Sequence, residues 1–210
     1  MALTQTSVHV GPLLIETATM TKQGEQVSGD CACVGHSEAG VLVGVVDGLG
    51  HGAEAEEAAH CAGTVLEDPA TGMRVTDALQ RCHAALRGTR GAVIAVAAFP
   101  AEAAHMDWLA VGNIEGILVR SRPGRTGREM IVQRPGIVGH HMPPLRSTTL
   151  PVHAGDTLVF ATDGVSREVA QAVSRRGPAR LEGSAAKLLE EFSTGNDDAL
   201  LLTARYGVPA

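Results

Sequence analysis

Val41-Leu42-Val43-Gly44-Val45-Val46, followed at once by Asp47-Gly48-Leu49-Gly50-His51-Gly52, is the stretch on which the fold turns. A continuous apolar run of this length reads as a strand buried on both faces. It stops abruptly at an Asp-Gly step, so a carboxylate stands where the strand leaves the core. The glycines that follow let the backbone adopt positive φ and approach a ligand closely. An Ala/Glu-rich segment, 53–67, then reads as a helix with an apolar stripe through Ala58, Ala59, Ala62 and Val65 or Leu66.

Working outward, a strand over 30–36 precedes this run, and a β-rich segment over 8–18 is broken at Gly11-Pro12. Residues 73–88 carry Val75, Ala78, Leu79, Cys82 and Leu86 at helical spacing. From residue 91 the period shortens, and 93–99, 105–111, 114–120 and 129–132 read as an antiparallel meander punctuated by glycine. Residues 121–128 form a basic hairpin tip and 140–146 a Pro-containing loop. A second buried strand, 157–162, ends in Asp163-Gly164. Helices over 166–175 and 184–193 precede a last strand, 199–205, introduced by Gly195-Asn196-Asp197-Asp198. No repeat or low-complexity linker divides the 210 residues, so a single domain over 1–210 is expected.

The composition narrows the function classes. Aromatic residues make up 2% of the chain against 44% apolar overall, so Val, Leu, Ile and Ala fill the core. Few aromatic platforms exist for stacking bases. A formal charge of −6 gives no general attraction to nucleic acid or anionic lipid. Neither a signal peptide nor an apolar run of membrane-spanning length is visible, and a cytoplasmic location is expected. The four cysteines, Cys31, Cys33, Cys61 and Cys82, read as buried free thiols rather than staples. Zinc at Cys31, Cys33 and His36 lacks a second Cys or His pair at suitable spacing. His140-His141 reads as an exposed loop.

Asp30, Asp47, Asp163 and the pair Asp197/Asp198 each stand at a strand end beside a turn former. Converging carboxylates repel one another unless cations lie between them, and hard oxygen ligands select Mg²⁺ or Mn²⁺. Spacing alone leaves two readings open, a metal centre or four solvated turn aspartates.

The strings VSGD (27–30), VGVVDGLGHG (43–52), AGDTLVFATDGVSRE (154–168) and NDDALLLTAR (196–205), in this order, closely resemble the signature blocks of the PPM, or protein phosphatase 2C-like, metal-dependent phosphatases. Within that family they are most similar to the bacterial SpoIIE-type branch and its RsbX-type stressosome phosphatases. The resemblance implies an α+β fold, a four-layer αββα sandwich in which two antiparallel sheets are flanked by helices. It implies two ions of Mn²⁺ or Mg²⁺ held by Asp30, Asp47, Asp163, Asp197 and the carbonyl of Gly48. Asp47 would bridge the ions, and Asp198 would be a neighbour rather than a ligand. The implied activity is hydrolysis of phosphoserine or phosphothreonine by metal-activated water, with no covalent phosphoenzyme. The implied partner is a phosphorylated protein, a STAS-domain component of a bacterial stressosome.

His51, the histidine inside a signature block, is the candidate general acid, catalytic alongside Asp47. One departure from the family stands out: the first arginine is Arg74, so no early arginine is available for phosphate. Lys22, the early cation, reads as a solvated surface residue. Two rival functions remain: a non-catalytic binding module on the same fold, and a metallohydrolase of small phosphorylated molecules.

Overall fold

The computed structural model describes residues 3–121 and 127–207. Strands β1 (Leu3–Val10) and β2 (Leu13–Met20) form a hairpin turned at Gly11-Pro12, and β3 (Asp30–Ser37) and β4 (Gly40–Gly48) form a second. Helices α1 (Ala53–Glu67) and α2 (Val75–Ala85) follow, then β5 (Ala92–Pro100), β6 (His105–Val111), β7 (Glu115–Val119), β8 (Arg128–Met130), β9 (Gln133–Arg134), β10 (Thr148–Pro151) and β11 (Thr157–Ala161). Helices α3 (Glu168–Arg176) and α4 (Ala185–Phe192) lead into the last strand, β12 (Ala199–Tyr206).

The strands make two sheets. One runs β1-β2-β12-β11-β7-β8; the other runs β10-β6-β5-β4-β3, with β9 added in parallel to β6. The expected meander over 91–132 is therefore corrected. Strands β5 and β6 pair in one sheet, while β7 and β8 belong to the other. The chain crosses between sheets at Gly112-Asn113-Ile114, where Gly112 takes φ +103°, a backbone conformation open to glycine. Short-range periodicity reports strands but not which sheet each joins. The basic tip at 121–128 falls largely outside the described residues. The proline-containing loop lies where it was expected, and His140 and His141 are exposed in it.

Strand alternation explains the layers. In β4 the odd residues Val41, Val43 and Val45 face the opposite sheet, meeting Leu13, Ile15, Leu158, Phe160, Leu200 and Leu202. The even residues Leu42 and Val46 face α1 and α2, together with Ile94, Val96 and Ala98 of β5. The outer face of the other sheet is covered in the same way by α3 and α4, over Ile117, Val159 and Leu201. The result is the expected αββα sandwich. Each fully buried Leu, Ile or Phe contributes roughly 1.5–3 kcal/mol of transfer free energy. No described helix is long and apolar enough to cross a membrane.

Candidate metal centre

The same alternation builds the site. Continuing the odd positions of β4 past Val45 places Asp47 on the inter-sheet side. Asp30 lies directly opposite it in the β3–β4 register, so the two side chains share a face. From the other sheet, the even positions of β11 run Leu158, Phe160 and then Thr162. The even positions of β12, read backwards from Leu202 and Leu200, arrive at Asp198. At this end of the sandwich the apolar core gives way to polar groups.

The contacts follow from that placement. Thr162 Oγ1 donates to Asp30 Oδ2 at 2.8 Å and accepts from the Leu200 amide at 2.9 Å. Asp198 accepts the Lys22 amide on Oδ1 at 2.8 Å and the Gly29 amide on Oδ2 at 2.9 Å. It thereby ties the β2–β3 connection to the last strand. Asp163, exposed beyond the end of β11, accepts from Asn113 Nδ2 at 2.9 Å. Gln133 Nε2 in turn holds the Asn113 and Ile114 carbonyls.

Two glycines are required sterically. A Cβ on Gly48 would lie 2.1 Å from the Ala55 carbonyl oxygen, and one on Gly164 would lie 2.0 Å from that of Asp198. Nothing larger fits where the Asp-Gly steps turn against α1 and β12.

Electrostatics single out one pair. The Asp47 carboxyl is pushed up to about 8, first by burial and then by the charges of Asp163, Asp197 and Asp198. Asp30 is raised well above the usual carboxylate range by burial first and by Asp47 second, with the Thr162 hydroxyl pulling the other way. Hence Asp30, Asp47, Asp163, Asp197 and also Asp198 are brought into one electrostatic neighbourhood, with Gly48 beside them. Among the described residues, no three His, Cys, Asp or Glu side chains already converge tightly enough to enclose one ion. Magnesium-type centres complete their shells with water and backbone oxygen. The donor set therefore fits such ions: hard carboxylates, two of them largely buried and two open to solvent, with a carbonyl on a glycine alongside.

His51 is not among the groups acting on Asp47. It lies exposed on the β4–α1 loop, with Nδ1 2.6 Å from Glu25 Oε1. Lys22 is corrected from a solvated residue. Its Nζ lies 3.6 Å from Asp197 Oδ1, drawn there by the negative potential of the carboxylates. Among the described residues it is the one Lys or Arg ion-paired with a candidate ligand. Sequence reasoning missed Thr162, Glu25 and the contact of Asn113 with Asp163. The parity of β11 could have flagged Thr162; nothing local points to the other two.

Comparison with known proteins decides the family. The family model for stage II sporulation protein E (SpoIIE) matches residues 37–207. The chain belongs to the SpoIIE family. It is thus a phosphoprotein phosphatase of the PPM, protein phosphatase 2C-like, type. The match begins after Asp30, whose place opposite Asp47 is given by the cross-strand register. The phosphoserine phosphatase RsbX of Bacillus subtilis (strain 168) is 23% identical over 158 residues, 75% of this chain and 76% of RsbX. A solved structure of RsbX in complex with magnesium superposes with TM-score 0.82 at 18% identity, covering 97% of this chain and all of that one. A chain from work on the bacterial stressosome as a modular system adapted to control secondary messenger signalling is 28% identical. It superposes with TM-score 0.78 and covers 92% of this chain and 99% of its own.

Proposed function

We propose that this SpoIIE-family phosphatase uses Mn²⁺ or Mg²⁺, held by Asp30, Asp47, Asp163, Asp197 and the Gly48 carbonyl, to hydrolyse phosphoserine or phosphothreonine on a STAS-type stressosome protein. The observation that carries the metal assignment is the Asp30–Asp47 pair. Two largely buried carboxylates face each other across adjacent strands, with the charges of Asp163 and Asp198 acting on both and that of Asp197 on Asp47. Such an arrangement is costly without cations. The stressosome substrate is supported by the likeness to RsbX and to the stressosome chain.

When bound, divalent ions neutralise phosphoryl oxygens and bring the pKa of water towards neutrality. The chain's own groups do the rest. Thr162 holds Asp30 in place, Asn113 orients Asp163, and Asp198 pins the Lys22–Gly29 segment through two amides. Lys22, beside Asp197, places an ammonium at the mouth where a phosphate would enter. His51, held by Glu25 through Nδ1, keeps Nε2 for a proton destined for the leaving serine oxygen.

The test is hydrolysis of p-nitrophenyl phosphate and of a phosphoserine-bearing STAS protein, with and without Mn²⁺. Metal-dependent turnover abolished by Asp47→Ala supports the reading. Turnover that ignores both metal and Asp47→Ala overturns the metal centre. Rapid turnover of a small phosphorylated metabolite with none on any STAS phosphoprotein overturns the substrate.

A further inference from the structure

The face of β3 opposite the carboxylates carries chemistry that the phosphatase reaction does not use. Cys31 and Cys33 alternate with Asp30 and Ala32, so both sulfurs point towards α1. Their Sγ atoms lie 3.8 Å apart, and no disulfide joins them. Gly63 of α1 sits over the pair; a Cβ there would lie 3.3 Å from Cys33 Sγ and 3.4 Å from Cys31 Sγ. Cys33 is fully buried, whereas Cys31 is half-buried and opens on a cleft of about 580 Å³ lined also by Ser28, Asp30, Glu56 and His60. A small solute can therefore reach one sulfur and not the other.

We propose that Cys31 and Cys33 form a peroxide-sensitive dithiol site whose closure to a disulfide disturbs Asp30 and lowers phosphatase activity. Residues two apart on a strand have Cα atoms roughly 6.4–6.8 Å apart. That is the upper end of the roughly 4.4–6.8 Å range that disulfides span. Closure therefore needs a local pucker of the strand. β3 is the edge of its sheet, its backbone ladder among the described residues running to β4 alone, so it puckers without breaking a second ladder. Asp30 directly precedes Cys31 and moves with it.

The step balances as follows. Cys31 sulfur attacks one oxygen of hydrogen peroxide and the O–O bond breaks. The departing hydroxide takes up the thiol proton as water, leaving Cys31 as a sulfenic acid. Cys33 sulfur then attacks that sulfur, and the hydroxyl leaves with the Cys33 proton as a second water. Two thiols lose two electrons in all, and one peroxide gains them. Cys61 and Cys82 are separately engaged, donating to the Ala85 and Ala62 carbonyls.

The coupling to activity rests on the metal-centre reading; the disulfide does not. The full chain carrying Cys61→Ser and Cys82→Ser is treated with stoichiometric peroxide, and the peptide spanning residues 31 and 33 is weighed after alkylation. Loss of two hydrogens, reversed by dithiothreitol and absent in Cys31→Ser and in Cys33→Ser, is expected. Two freely alkylated thiols, or Cys31 trapped as sulfinic acid with Cys33 untouched, overturns the dithiol site. Metal-dependent turnover is expected to fall at least about tenfold on oxidation, the scale seen when groups supporting a metal ligand are displaced. It should recover on reduction and stay unchanged by peroxide in Cys33→Ser. Oxidised protein with full turnover overturns the coupling. A reduced protein without metal-dependent turnover condemns the metal centre, and with it the coupling, and leaves the disulfide measured in its own right.

Discussion

The two halves of the carboxylate site are built differently. Asp30 and Asp47 stand on neighbouring strands of one sheet, fixed by register and largely buried. Asp163 and Asp197 come from the other sheet, beyond strand ends, and each is oriented by a side chain from elsewhere: Asn113 for one, Lys22 for the other. The difference is one of solvation. A desolvated carboxylate is raised and repelled by its neighbours, whereas one at the surface finds a polar partner. The strand half thus stores the electrostatic cost, and the loop half adjusts.

That contrast can be broken at several points. The largest expected effect is at Asp47. Asp47→Asn should lower metal-dependent turnover by at least about 100-fold, since it removes the proposed bridge. The same change should raise the melting temperature of metal-free protein at pH 8 by about 3 °C or more, because a buried, repelled charge is gone. Asp163→Asn should lower turnover with a smaller stabilisation, since it lifts one of the repulsions on Asp47 and leaves the burial cost in place. Equal melting shifts for the two variants, measured by calorimetry, would erase the distinction between the halves.

The pH dependence follows from the same groups. Asp47 binds its proton more tightly folded than unfolded, with a folded pKa of about 8 against an ordinary carboxylate value. The native state therefore holds more protons between about pH 4 and 8, and linkage makes metal-free stability fall as pH rises through that window. Asp30 acts in the same direction. Divalent cations replace those protons, so the Mn²⁺-induced rise in melting temperature should be larger at pH 8 than at pH 6. A rise that shrinks with pH would show that the ions do not bind at these carboxylates.

Two smaller effects sharpen the comparison. Thr162→Val removes the hydroxyl that links Asp30 to Leu200 and should cost about 10-fold or more in metal affinity. Asn113→Ala, acting on exposed Asp163, should cost less than Thr162→Val in the same titration. Lys22→Met removes a cation that competes for Asp197 and should tighten metal binding by about threefold or less, the scale of a solvated ion pair. Weaker metal binding in Lys22→Met would mean that the ammonium supports the site instead of opposing it.

Much of this was legible in the chain. The apolar run before Asp47, the helix over 53–67 and the strand before Asp163 are local signals, and the structure places them within a residue or two. Four Asp-bearing blocks in order were enough to suggest the family, because each block is short, contiguous and tied to a strand end. Local sequence could not reveal which sheet β7 joins, since periodicity carries no partner information. Nor could it show that Thr162 meets Asp30 across 132 residues, or that Lys22 folds back on Asp197. The pair Asp197/Asp198 shows the division most plainly. Sequence made them equivalent neighbours, with a family resemblance favouring the first as ligand. Only the register of β12 decided that Asp198 points between the sheets to grip two amides while Asp197 stays at the mouth. One step along a strand reverses the face, and which face is buried depends on the sheet packed against it.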